Sequence, residues 1–212
     1  MREGRKMAIK DNVKPTRSEL LELKRRIKLS EKGYKLLKMK RDTLIMEFFK
    51  VLDRAKNLRS QLLEQYRNAD RKISVAISVE GLIPVKSAAF ALRDKPQIRL
   101  ESKNVMGVVV PLIETKGIRK GVTERGYGII GTSARIDEAA SAYEQLVENI
   151  IVAAEVETTI RKLLDEIDRT RRRVNALEFK VIPELKDAAA LITFRLEELE
   201  RENIFRLKRI KG

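Results

Sequence analysis

Gly126, Tyr127, Gly128, Ile129, Ile130 and Gly131 spell GxGxxG just before a helical stretch, the spacing that lets a backbone turn cradle a pyrophosphate. That chemistry also needs a preceding parallel strand and a crossover helix that returns to the sheet within about 30 residues. Here the helical pattern that follows runs on for roughly 70 residues, so the glycines are read as a hinge. No GxxxxGK[ST] segment is present either, so the chain carries no P-loop of its own. There is no Cys and no His, which removes thiol and imidazole chemistry, disulfides and the commonest zinc ligands together. No Gly-containing acidic loop of the EF-hand kind offers a calcium site. The expectation is a chain with no catalytic, cofactor or metal site, and therefore not an enzyme by itself.

The remaining chemistry is charge. Arg171, Arg172 and Arg173 fall within one helical turn, with Asp165, Glu166, Asp168 and Glu178 nearby, which fits either a solvated face or a docking site for a partner. Asn175 is expected to face solvent or that partner rather than a helix seam. The net charge is +15. Residues 1–78 carry 22 Lys and Arg against 10 Asp and Glu, whereas residues 134–212 carry 15 against 16. The basic excess is thus an N-terminal property, suited to a nucleic acid, an anionic surface or an acidic protein. Arg17, Lys24, Arg25, Arg26, Lys28, Lys32 and Lys35 are read as surrounding the first helix, and Arg201, Arg206, Lys208, Arg209 and Lys211 crowd the other terminus.

The elements that position these charges are legible from periodicity. Thr16 and Glu19 have the spacing of a capping box. From there one seven-residue line runs Leu20, Ile27, Tyr34, Arg41, Phe48, Ala55, Leu62, Ala69, Ala76, and a second runs Leu23, Ser30, Leu37, Leu44, Val51, Leu58, Gln65, Lys72, Val79. Fourteen of these eighteen are apolar, against roughly eight expected from composition. A later arm, with Ser133 as N-cap, repeats Ala139, Leu146, Ala153, Ile160, Ile167, Val174, Val181, Ala188. Pro183 should disturb it, after which the line restarts at Leu185, Ile192 and Leu199. Sustained heptads predict a left-handed coiled coil, with arms of roughly 90 and 110 Å.

Seven of the ten Gly and three of the five Pro lie within residues 81–131, which predicts a small head between the arms. Ser87 to Leu92 is expected to form a short helix and Gln97 to Glu101 a strand. Val105, Met106, Gly107, Val108, Val109 and Val110 are expected to form another strand, ended by Pro111. The fold class is mainly α: a long antiparallel two-helix hairpin with a small β-containing head. Its divisions are a tail (1–15), a first coiled-coil helix (16–80), the head (81–132) and a second coiled-coil helix (133–212). The apolar runs are too short to cross a bilayer, which takes roughly 20 residues, and the chain is expected to be soluble.

The segments VKPTRSELLELKRRI, NVMGVVVPLIE, SARIDEAASAYEQLVENII, TRRRVNALEFKVIPEL and ENIFRLKRIK resemble the D subunit of the A-type and V-type rotary ATPases, over nearly the whole chain from Asp11 to Lys211. The resemblance implies a rotor shaft on the cytoplasmic face of the membrane, coupling ion flow to ATP synthesis or hydrolysis. Its expected partners are the A and B subunits of the catalytic hexamer, the F subunit of the stalk, and the C subunit, which links to the membrane ring. On that reading Arg25, Lys28, Lys32, Arg201, Arg206 and Arg209 contact the hexamer cavity. Arg171, Arg172, Arg173 and Asn175 meet other stalk subunits, and Val105, Met106, Gly107 and Pro111 belong to the head. The rival readings are a basic coiled coil that binds nucleic acid and a prefoldin-like holdase, whose tips should be apolar rather than charged.

Overall fold

The computed structural model describes residues 15–91, 97–121, 124–128 and 132–211. The elements follow one another as helix α1 (Arg17–Glu80), helix α2 (Leu82–Ala91), strands β1 (Gln97–Val105) and β2 (Val108–Lys116), and helix α3 (Ala134–Ala176). A π-turn (Leu177–Val181) then leads into helix α4 (Ile182–Lys211). The chain is mainly helical, with a two-stranded antiparallel sheet between the long helices. The start of α1 is capped as its sequence implies, the Glu19 N–H donating to Thr16 Oγ1 at 3.2 Å. At the start of α3 the Arg135 N–H donates to Ser133 Oγ at 3.2 Å. Gly81, at φ +85°, closes α1 in the left-handed conformation that only glycine adopts without strain.

The chain divides into two compact units, one built from residues 1–43 and 167–212 and the other from residues 44–166. In the first, Arg17 pairs with Glu200 at 2.6 Å and Lys186 with Glu31 at 2.7 Å, so the two helical segments run antiparallel. Between those pairs lies an apolar cluster of Leu23, Ala188, Ala189 and Ile192, flanked by Leu20, Ile27, Leu185 and Leu196. In the second, Asn149 Nδ2 donates to Gln65 Oε1 at 2.6 Å across another antiparallel seam. At its base Ala76, Ala88 and Ile136 form a cluster that Val85 and Tyr127 cover.

The heptad lines of α1 are the buried ones: of the eighteen positions only Val79 is fully exposed. On the later arm the counted line is buried or half-buried throughout, but Leu199 is exposed and does not continue the restarted line. A second line was missed, running Asn149, Val156, Leu163, Thr170, with Leu163 at 0% exposure and Thr170 at 1%. Its two polar members hide it from a hydrophobicity count. Asn149→Leu should leave the Gln65 amide half-buried without its donor and cost about 1 kcal/mol. Adding Gln65→Leu should restore stability while loosening register, which urea denaturation and the spread of cross-linking distances would read.

Pro183 removes the N–H that would have bonded the Phe179 carbonyl, and the irregularity takes the form of the π-turn, where the Ile182 N–H bonds Leu177 O. The short helix of the head begins earlier than its sequence suggested, at Leu82, because Pro84 is tolerated in a first turn. Leu92 lies outside the described residues. The stretch Val105–Val110 is not one strand ended by Pro111. Met106 and Gly107, at φ +53° and +84°, form a two-residue turn of the mirror-image type that matches strand twist. Asn104 Oδ1 accepts the Gly107 N–H at 2.8 Å and braces it. Pro111 lies inside β2, opposite Ser102. In the alternation that starts from the Val105↔Val108 pair, the nitrogen of residue 111 faces away from β1, so a missing N–H costs the ladder nothing.

Candidate docking surfaces

The unit formed by residues 1–43 and 167–212 holds ten of the fourteen residues singled out by sequence. Arg25, Lys28 and Lys32 are all exposed and recur at i, i+3 and i+7, so they share one face of α1, directed away from Leu20, Leu23 and Ile27. The expectation that basic residues surround this helix is corrected. At 3.6 residues per turn Arg17, Lys24, Arg25, Lys28, Lys32 and Lys35 fall within an arc of roughly 100°, and only Arg26 lies outside it. The seam excludes cations from the other side, because a buried ammonium or guanidinium without a partner is costly.

Leu21, Leu29, Leu36 and Met39 are interleaved with these cations and exposed. Sequence reasoning passed over them. The signal was the seven-residue step from Leu29 to Leu36 and from Lys32 to Met39, a weaker second repeat on the solvent side. Cations around exposed leucines make a surface suited to an acidic partner with apolar patches, since exposed apolar groups in such numbers mark interaction sites.

The end of α4 is barer still. Every residue from Glu197 to Lys211 is exposed. Arg17 faces Glu200, so Arg201, Arg206 and Arg209 extend beyond the last cross-helix pair recorded in this unit. Among the described residues Arg206 pairs only along its own helix, with Glu202 at 3.6 Å. Ile204, Phe205, Leu207 and Ile210 are exposed among them. Among the described residues this stretch has no packing partner across the seam, and a helix end that packs on nothing gains little stability by itself.

Arg171, Arg172 and Arg173 are exposed, and among the described residues none of them forms an ion pair with Asp165, Glu166, Asp168, Glu178 or any other acid. The buried side chains of Thr170 and Val174 hold the turn that displays them. Asn175 is exposed, as its place beside the seam implied. Just beyond, the π-turn leaves Phe179 exposed.

The unit of residues 44–166 contains the head residues Val105, Met106, Gly107 and Pro111, joined in the hairpin. The glycine motif is only partly within the described residues, because 129–131 lie outside them. Its first residues are not a free hinge. Arg125 is only 4% exposed and Tyr127 donates to Asp137 Oδ1 at 2.7 Å. Gly126 sits at φ +82°, and a Cβ there would come within 2.9 Å of the Ala91 carbonyl oxygen, so backbone packing rather than phosphate binding requires this glycine. Burial and the bond to Asp137 push the Tyr127 phenol above its ordinary range, which keeps it a donor. Among the described residues no group of acids has metal-holding geometry, and no helix is long and apolar enough to cross a membrane.

A family model described as the D subunit of ATP synthase matches residues 19–212. The A-type ATP synthase D subunit of Methanococcoides burtonii is 65% identical over 199 residues, covering 94% of this chain and 97% of that protein. Those of Haloarcula marismortui and Archaeoglobus fulgidus are 56% and 52% identical, covering 95% and 94% of this chain and 87% and 96% of their own lengths.

Proposed function

The chain belongs to the family of ATP synthase D subunits, and from that premise we propose that it is the central-stalk rotor subunit of an archaeal-type rotary ATP synthase. As part of that membrane-associated complex it couples ion flow through the membrane ring to ATP synthesis or hydrolysis in the A/B hexamer. It carries no catalysis itself and works on the cytoplasmic face. The observation that carries this reading is the end of α4, where cations and large apolar side chains alternate with no cover among the described residues.

Arg25, Lys28, Lys32, Arg201, Arg206 and Arg209 engage the inner wall of the hexamer. Arg171, Arg172, Arg173 and Asn175 engage stalk neighbours, the F subunit among them. The head, with Val105, Met106, Gly107 and Pro111, engages the C subunit. Two antiparallel helices differ in sequence on every side, so the pair presents a different surface in each direction. Turning within a ring of alternating subunits, such a surface meets each catalytic site with different contacts and biases its open and closed states accordingly. Free energy passes between rotation and chemistry because the contacts differ, and it passes both ways.

Nothing in the family or in these relatives supports the nucleic-acid reading. Co-expression with the A, B and F subunits, followed by native mass spectrometry, is expected to give one copy of this chain per hexamer. Zero or three copies would overturn the proposal.

A further inference from the structure

The two edges of the β-hairpin are treated differently. In an antiparallel ladder that starts at the Val105↔Val108 pair, alternate residues turn their N–H and C=O groups away from the sheet. On β2 those are Val109, Pro111, Ile113 and Thr115, and the first three are engaged or blunted. Lys162 Nζ donates to Val109 O at 2.9 Å, Pro111 has no N–H, and the Ile113 N–H donates to Glu155 Oε2 at 3.1 Å. Helix α3 therefore covers this edge from Val109 to Ile113.

On β1 the outward residues are Ile98, Leu100, Ser102 and Asn104. Among the described residues the backbone groups of Ile98, Leu100 and Ser102 meet no partner. The strand is nine residues long, contains no proline, and is exposed along nearly its whole length. Its face away from Val108 and Val110 is apolar in its first half, with Leu100 at 71% exposure and Ile98 also open to solvent, followed by Ser102 and Asn104. Proteins ordinarily blunt such an edge, because it is a template for another strand.

We propose that β1 is a docking edge to which an extended segment of a neighbouring stalk protein adds as a third strand. This rests on the central-stalk reading above and names how the head is held. The occupant is specified by the two faces of β1. Arg99 and Lys103 are exposed and form no ion pair among the described residues, and they flank Glu101 on one face. Ile98 and Leu100 occupy the other. A segment alternating carboxylate and apolar side chains satisfies both, the backbone bonds supplying affinity and the alternation specificity. A second copy of this chain fits worse, because it would set the Arg99 and Lys103 of both copies on one face.

Hydrogen–deuterium exchange at single-residue resolution tests this, comparing the isolated full chain with the assembled rotary complex. In the isolated chain the Ile98, Leu100 and Ser102 amides should exchange fast while Arg99, Glu101 and Lys103, which bond to β2, are protected. In the complex the first three should slow by roughly a hundredfold or more. Ser102→Pro removes one outward N–H without touching the ladder, as Pro111 does on β2, and should abolish this protection at Leu100. Leu100→Lys, which leaves every backbone bond possible, should weaken it as well. Fast exchange of all three amides in an assembled complex would overturn the proposal while leaving the rotor reading intact. Protection that grows with concentration of the isolated chain would overturn it in favour of self-pairing. Failure of the chain to enter the complex would instead sink the rotor reading itself.

Discussion

Arg125→Met is expected to destabilise the unit of residues 44–166 by about 3 kcal/mol, the lower end of the cost of breaking a buried ion pair. The guanidinium is spread over one face of α3. Its Nε and Nη2 fork onto the two carboxylate oxygens of Glu144 at 3.0 and 3.1 Å. Nη2 also donates to Ser141 Oγ at 2.7 Å, and Nη1 donates to Asp137 Oδ1 and to its main-chain oxygen at 3.2 and 3.1 Å. Asp137, Ser141 and Glu144 are spaced i, i+4, i+7, so a single side chain from the loop spans two turns of helix. Burial opposes the charge, but hydrogen bonds with Glu144 and Tyr127 outweigh it and hold the guanidinium's pKa above its ordinary value. Removing it strands two carboxylates that are only 27% and 18% exposed. The residual water around them keeps the cost from running higher. Arg125→Lys should recover less than half of the loss, since an ammonium cannot make the fork. Urea denaturation, with amide exchange at residues 134–146 as the local readout, decides the matter. A change within about 0.5 kcal/mol for the Met variant would show the network to be dispensable.

How much of this was legible beforehand depended on whether a feature repeats. The heptad lines of α1 repeat nine times, so single exceptions such as Arg41 or Lys72 did not hide them, and the structure buries them accordingly. The Asn149–Thr170 line has two polar members in four and vanished into the background. Arg125 offered no pattern at all. Its partners lie 12 to 19 residues away across a glycine-rich loop, and such a distance becomes a contact only after the chain has folded. The hairpin was misread for a local reason. Val105, Val108, Val109 and Val110 dominate the composition of their window, whereas the turn depends on Gly107 and on Met106 taking a φ that its side chain disfavours. Asn104, which braces the turn, was the available signal. Of the site residues, exposure and shared faces follow from helical periodicity, whereas the partner each one meets is a property of other chains.

Deleting residues 201–212 should leave stability within about 0.5 kcal/mol and yet reduce ion-driven ATP synthesis at least about tenfold. The first half follows from burial. Residues 201–211 are exposed throughout, Arg17 keeps its partner Glu200, and the cluster around Leu23 and Ile192 is untouched. The second half follows from what remains uncovered. Phe205, Leu207 and Ile210 are large apolar groups beside Arg201, Arg206 and Arg209, the combination that concentrates binding energy when a partner desolvates it. Two narrower variants separate the contributions. Converting the three arginines to glutamate should slow assembly and make it less sensitive to salt, because it cancels much of the steering by charge. Converting Phe205, Leu207 and Ile210 to serine should leave assembly rates nearly unchanged while lowering the ATP made per ion translocated. Torque requires contacts that stay engaged under load, and long-range steering supplies none of these. Undiminished synthesis by the truncated chain, still present at one copy per hexamer, would place the coupling contacts elsewhere, on the face that carries Arg25, Lys28 and Lys32 or on the turn that displays Arg171, Arg172 and Arg173.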